Sequence, residues 1–203
     1  MVKIYGIPRT SSGRCFLLLE ELGIAYENPP LDMRKQEHKA DSFLKLNPNG
    51  KVPVLVDGDF VIWESIAINN YLCDKHRPEL LGTTPQERGI QQQWSTWSMV
   101  DLQPPLVDII IQMVFTPEEK RSQTVVEKAR EKVPPMLKIL DKALEGKDYI
   151  LGKNICVADF NLASVVNIAK TFEFDFKPLP NITAWMARMK ERPSFKKVAE
   201  LRA

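Results

Sequence analysis

The hydrophobic pattern of the chain changes character once. "VKIYG", residues 2–6, is a short β-rich run, and after a loop the apolar residues of "RCFLLLEELG" fall on a helical period that Gly23 stops. "IAYENPPL" reads as a second strand. Strand, helix and strand within about thirty residues make a βαβ unit, whose strands pair in parallel through a right-handed crossover. "KVPVLVDGDFVIW" is two apolar runs joined around Asp57-Gly58, a strong hairpin signal, and "ESIAINNYLCDKH" returns to helical spacing. The order β-α-β, then β-β-α, is that of a thioredoxin-like half. Pro53 opens the third strand where such a fold uses a cis-proline to present backbone groups to a thiol ligand.

Strand-type runs end at "HRPELLGTTPQ", whose prolines and glycine mark a linker. Beyond it the pattern is helical throughout. "ERGIQQQWSTWSMVDLQ" is expected to run to Pro104 and Pro105, which should kink or end it, and "TPEE" at residues 116–119 has the form of a capping box with proline at the first helical position. A bend is expected at Pro134 and Pro135. "VADFNLASVVNIAKTF" and "NITAWMARMKERPSFKKVAELR" complete an α-helical second domain. The expected organisation is therefore an α/β thioredoxin-like domain over residues 1–76, a linker over 77–86 and an all-α domain over 87–203.

Charge and composition narrow the function classes. The 28 basic and 26 acidic side chains are interspersed and leave a net charge of +2, with no stripe suited to nucleic acid. No apolar run approaches the roughly 18 residues of a membrane span, and "MVKIYGIPRT" lacks the order of a signal peptide, so a cytoplasmic protein without a membrane is expected. Cys15, Cys73 and Cys156 are far apart and odd in number, which suggests buried thiols rather than a disulfide framework or a zinc site. With only His38 and His76 present, no metal site is expected.

The stretch "EHKADSFLKLNPNGKVPVLVDGDFVIWESIAI", residues 37–68, resembles the glutathione-binding region of cytosolic glutathione transferases. The start "KIYG…GRCFLLLEELG" and the closing "ERPSFKKVAEL" fit the same family, and the pattern is most like the serine-type classes, especially the phi class and its bacterial relatives. Glutathione is an extended tripeptide with an α-amino group, two carboxylates and a thiol. Its site needs anion donors at both ends and a backbone edge between them. Ser65, at a strand-to-helix junction, can cap the helix and hold the γ-glutamyl carboxylate with the amides and dipole of that terminus, while Glu64 takes the amine. Val52, ahead of Pro53, would offer its N–H and C=O to the cysteinyl backbone as an added strand. The resemblance puts Lys51 near the γ-glutamyl end and His38 and Lys39 at the glycine carboxylate. The plainer readings are a helix cap for Ser65 and an ordinary loop histidine for His38.

The three hydroxyls of "PRTSSGR" remain. A transferase must hold glutathione as thiolate, pulling its pKa down from roughly 8.5–9 by one or two units, each worth about 1.4 kcal/mol. A donated hydroxyl hydrogen bond at a helix N-terminus supplies that. The resemblance places the working hydroxyl four or five residues before the arginine that begins this helix. Counting back from Arg14 favours Thr10, then Ser11, then Ser12, and the alternative is a turn whose hydroxyls only cap the helix. Arg14 either steers the anionic ligand or forms a structural ion pair. Tyr5 reads as structural. One departure from the family stands at Cys156-Val157-Ala158-Asp159, where a Ser or Thr usually occupies the first position and a thiol is a weak cap; Asp159 is expected to bond back to the Cys156 N–H.

The resemblance implies conjugation of the glutathione thiolate to apolar electrophiles by a homodimer, with the helical domain supplying the electrophile site. Trp94, Trp97, Met99, Leu102, Leu106, Ile109 and Met113 could line it, although aromatic and Met positions at helical spacing more often form core or dimer surface. A glutathione-dependent peroxidase, isomerase or reductive enzyme, and a non-catalytic ligand-binding or interaction protein, are the other readings.

Overall fold

In the computed structural model, which describes residues 1–201, the change of pattern becomes a division into two compact units. In chain order the elements are β1 (Val2–Tyr5), α1 (Gly13–Leu22), β2 (Tyr26–Glu27), α2 (Asp41–Leu44), β3 (Val54–Asp57), β4 (Phe60–Trp63) and α3 (Ser65–His76), then α4 (Pro85–Trp97), α5 (Gln103–Ile110), α6 (Gln123–Ala143), α7 (Val157–Thr171), α8 (Pro180–Glu191) and α9 (Pro193–Leu201). The first unit is Met1–Thr83 with the chain from Lys190 onward, and the second is Thr84–Met189. The contacts therefore divide the chain differently from its composition. The closing helix, which the pattern assigns to the helical domain, packs on α1 of the first unit.

Within the first unit the sheet has the order β2-β1-β3-β4. β1 pairs with β2 in parallel, as the βαβ pattern requires, and with β3 antiparallel, while β3 and β4 form the hairpin around Gly58. Tyr5 lies opposite Val54, and Val54 opposite Trp63. This register decides where the chain can build a site. The segment after β1, the segment before β3 and the segment after β4 all emerge at the same end of the sheet. Inward residues of β1 and α1, among them Ile4 and Cys15 to Leu19, form the core on one face, and Gly23 at φ 66° ends α1 with its N–H returned to Leu19 and Glu20. α9 is fastened to α1 through Glu21, whose side chain is 7% exposed and accepts from Arg192 and from the Ser194 hydroxyl at 2.8 Å, with Arg77 at 3.7 Å.

The second unit corrects the expected capping box at residues 116–119 and shows that the helices continue through both proline pairs. Pro104 and Pro105 do not end the helix: α4, a π-turn at Ser98–Leu102 and α5 run on from one another, and the π-turn, in which the Gln103 N–H returns to Ser98 O, stands immediately before the prolines. The capping box that starts this helix is Thr84 with Glu87, inside the expected linker; Thr84 Oγ1 accepts from Glu87 N at 3.1 Å, Glu87 returns the bond at 3.2 Å, and Pro85 stands at the first position. The "TPEE" segment gives only a 3₁₀ turn, Glu118–Lys120, because the Thr116 hydroxyl donates back to Ile111 O at 2.8 Å, and α6 begins at Gln123. α6 also continues unbroken through Pro134 and Pro135 on a buried stripe of Val126, Ala129, Val133, Leu137 and Leu140.

The run Pro85–Phe115 is the one helix among the described residues long and apolar enough to cross a membrane, which corrects the expectation that no segment approaches that length. It carries Asp101 and Asp108, packs on α6 and α7, and buries Leu102, Leu106 and Ile109 completely, so these three belong to the core of the helical unit. Asn161 of α7 also donates to Ser95 at 3.0 Å.

At the start of α7, Asp159 does bond back to the Cys156 N–H, at 2.9 Å, and accepts as well from Ile150 N at 3.0 Å and Trp185 Nε1 at 2.9 Å. Burial pushes its carboxyl above the usual range, while these donors favour the charged form. Asp159→Ala leaves three buried donors without an acceptor, and urea unfolding is expected to show a loss of about 3 kcal/mol or more.

Candidate active site at the end of the sheet

The loop before β3 is shaped by its own sequence. Asn47, 2% exposed, donates Nδ2 to Lys51 O at 2.7 Å and accepts from Asn49 N at 3.0 Å, folding "NPNG" into a turn that delivers Lys51 and Val52 to the sheet. The Val52-Pro53 bond is cis, as the sequence leads one to expect. Lys39 Nζ donates to Asn49 O at 3.2 Å and Gly50 O at 3.0 Å, drawing the 3₁₀ turn Glu37–Lys39 onto this loop. His38 comes with it, half-buried, and its Nδ1 is buried without a hydrogen-bond partner among the described residues. Lys39 is thereby part of the loop's own structure as well as a cation beside it, and the Lys51 side chain is exposed.

After β4, Glu64 turns the chain into α3 with φ at 73°, a left-handed conformation that costs a non-glycine residue of order 1–3 kcal/mol. Its side chain stays exposed while Ser65, the first residue of α3, is 2% exposed. Cys15 Sγ lies 3.6 Å from Ser65 O and Asn69 Nδ2 3.3 Å from Arg14 O, so α1 and α3 begin side by side. Two helix N-termini, each a partial positive charge, thus open toward the same end of the sheet. Arg14 is 1% exposed. Burial lowers its guanidinium to about 10, against the opposing pull of Cys15 and Glu64, so it stays charged at neutral pH beneath the start of both helices.

The loop after β1 separates the three hydroxyls. Thr10 Oγ1 lies 2.8 Å from Ile7 O and 3.0 Å from Ser12 Oγ, and accepts from Ser12 N at 3.2 Å, all within its own loop. Ser12 is fully buried and its carbonyl accepts from Cys15 N and Phe16 N, starting α1. Only Ser11 crosses to the neighbouring segment: its hydroxyl faces Val52 O, ahead of the cis-proline, at 3.4 Å. Tyr5 packs edge-on against Phe43 at 5.9 Å. The three cysteines are free and buried, and burial pushes the Cys15 and Cys73 thiols up to about 12. Asn47 and Asn69 escaped the reading from sequence; the Asn-Pro-Asn-Gly turn was the available signal for the first, and none existed for the second.

A backbone edge at Val52, buried donors at two helix starts and basic groups on either side suit an extended anionic peptide. Family models agree with that geometry: the N-terminal domain of glutathione S-transferases matches residues 1–74, and the C-terminal domain matches residues 102–193. Glutathione S-transferase 4 of Zea mays is 34% identical over 98% of this chain and 92% of its own length. Among solved structures, glutathione S-transferase-I bound with lactoylglutathione superposes with a TM-score of 0.89 at 32% identity, over 98% of this chain and 99% of that one. The theta-class enzyme of Xanthomonas axonopodis pv. citri with glutathione bound gives 0.87 at 30% identity, over 97% and 95%. The chain belongs to the glutathione S-transferase family, and the likeness to plant phi-type enzymes and bacterial relatives holds over its whole length.

Gly50 sits at φ 56°, and a Cβ there would stand 2.8 Å from the His38 carbonyl and 2.8 Å from Lys39 Nζ. Gly50→Ala is expected to push the turn holding His38 away from the loop before Pro53, lowering stability by about 1–3 kcal/mol in urea unfolding and weakening retention on immobilised glutathione.

Proposed function

We propose that this protein binds glutathione at the end of its sheet, holds it as the thiolate with the Ser11 hydroxyl, and transfers it to apolar electrophiles. The observation that carries the reading is the 3.4 Å approach of Ser11 to the Val52 carbonyl, beside the cis-proline. An added strand pairing with the Val52 N–H and C=O brings the ligand's cysteinyl residue to this point. In the free protein the Ser11 proton has only a long, weak bond to give up. Once the ligand's own N–H takes the Val52 carbonyl, Ser11 can turn its proton to sulfur, at the positive end of α1. Thr10, first by counting, has its hydroxyl engaged within the loop, which supports Ser11 in its place.

The remaining contacts follow the tripeptide outward. Ser65 and the first amides of α3 take the γ-glutamyl carboxylate, with Lys51 nearby, and Glu64 takes the amine. His38, whose buried Nδ1 has no partner among the described residues, and Lys39 serve the glycine carboxylate. The thiolate, its proton having left for solvent, attacks the electrophilic carbon and forms the C–S bond as the electrophile's leaving group, chloride for a chlorodinitrobenzene probe, departs with its electron pair, and rate comes from thiolate population and proximity. A reductive route through a protein cysteine finds no support, since burial holds Cys15 and Cys73 as thiols. The reading includes a cytoplasmic setting, in which the three free thiols stay reduced, and a homodimer, consistent with exposed apolar side chains such as Val100, at 66%, in the helical unit.

Ser11→Ala is expected to raise the apparent pKa of the bound thiol by about one unit and to lower conjugation of a chlorodinitrobenzene probe at neutral pH by about tenfold, with little change in glutathione affinity. An unchanged pH profile in a folded variant would remove Ser11 from the sulfur. Ser65→Ala should instead raise the KM for glutathione about tenfold or more, since part of a carboxylate loses a donor worth roughly 1.5–3 kcal/mol. Steady-state kinetics at varied glutathione read this directly, and an unchanged KM would exclude Ser65 from the site.

A further inference from the structure

We infer that Thr10 is a positioning residue for the thiolate, acting through Ser11, and this rests on the reading of Ser11 as the donor. Thr10 joins the residues on both sides of Ser11. Its hydroxyl reaches Ile7 O at 2.8 Å and Ser12 Oγ at 3.0 Å, and receives the Ser12 N–H at 3.2 Å. Its backbone adds two more ties, Thr10 N to Ile7 O and Gly13 N to Thr10 O, both at 2.9 Å. Two turns therefore close on either side of Thr10, and one hydroxyl bridges them.

Ser12 is the anchor on the inner side. It is fully buried, and it fits only because Gly6 has no side chain: a Cβ on Gly6 would stand 2.6 Å from Ser12 Cβ and 2.7 Å from Ser12 Oγ. With residue 12 fixed in the core and residue 7 two positions past the end of β1, the half-buried Ser11 hydroxyl faces Val52 O at 3.4 Å. The single Thr10 proton serves Ile7 O or Ser12 Oγ, and either choice leaves its oxygen to accept the Ser12 N–H. Thr10 also accepts with side chain and carbonyl from the amides of Ser12 and Gly13, closing the turn that leads into α1 while leaving the Ser11 hydroxyl outside the network. A methyl in place of the Thr10 hydroxyl removes the side-chain bridge between the two turns, both the donated bond and the accepted Ser12 N–H, and leaves the segment held by its backbone bonds and the buried Ser12.

The test is a double-mutant cycle read by the apparent pKa of bound glutathione, from the thiolate's ultraviolet absorbance, and by conjugation against pH. Thr10→Val is expected to raise that pKa by about half a unit and to lower conjugation at neutral pH about threefold, whereas Thr10→Ser, which keeps the hydroxyl, returns both to the unmodified values. In the Ser11→Ala background, Thr10→Val should move the pKa by no more than about 0.2 unit, because the group it positions is gone. An equal effect of Thr10→Val in both backgrounds would overturn the inference while leaving Ser11 as the donor. A shift from Thr10→Val combined with none from Ser11→Ala would overturn both, making Thr10 itself the sulfur contact. No shift from Thr10→Val in a protein that still binds glutathione would overturn the inference alone.

Discussion

The antiparallel register of β1, β3 and β4 is the constraint on which the site depends. Because Tyr5, Val54 and Trp63 stand abreast, the three segments after β1, before β3 and after β4 must leave the sheet at one end. The loop of hydroxyls, the cis-proline and the Glu64-Ser65 junction are consequences of that one alignment. A slip of one residue would turn every side chain of a strand to the opposite face, and the buried alternation of Val2 and Ile4 against the core forbids it.

The first unit then spends its buried polar groups on holding the two helix starts in place. Arg14 lies beneath both, Cys15 and Asn69 tie one to the other, and Glu21 binds the closing helix to the far end of α1 through Arg192 and Ser194. A helix terminus stabilises an anion only within about its first turn, so its direction has to be fixed if the effect is to reach a ligand. Preorganised dipoles of this kind need no rearrangement at the moment of reaction.

Much of this was legible in the sequence, and the reasons are specific. The βαβ unit and the hairpin declare themselves by periodicity, and Pro53 by its place at the start of a strand. Two readings failed because one motif can serve two ends. "TPQE" at Thr84 and "TPEE" at Thr116 look alike, yet the second threonine is consumed by the carbonyl of Ile111, a contact that spacing does not encode. The destination of α9 was equally hidden, since "PSFKKVAEL" is helical wherever it packs, and its partner Glu21 lies far back in the chain. Among Thr10, Ser11 and Ser12, counting from Arg14 gives an order of distance along the chain. The direction of each hydroxyl is set by the two turns that close at Ile7 and Thr10, and only the folded loop carries that information.

The central claim is that this end of the sheet holds glutathione as a thiolate at neutral pH. The most direct measurement is a pH titration of glutathione bound to the unmodified protein, followed by the thiolate's ultraviolet absorbance against the same titration in buffer. The account predicts an apparent pKa one to two units below the roughly 8.5–9 of the free thiol. A bound thiol that titrates together with the free one would contradict it.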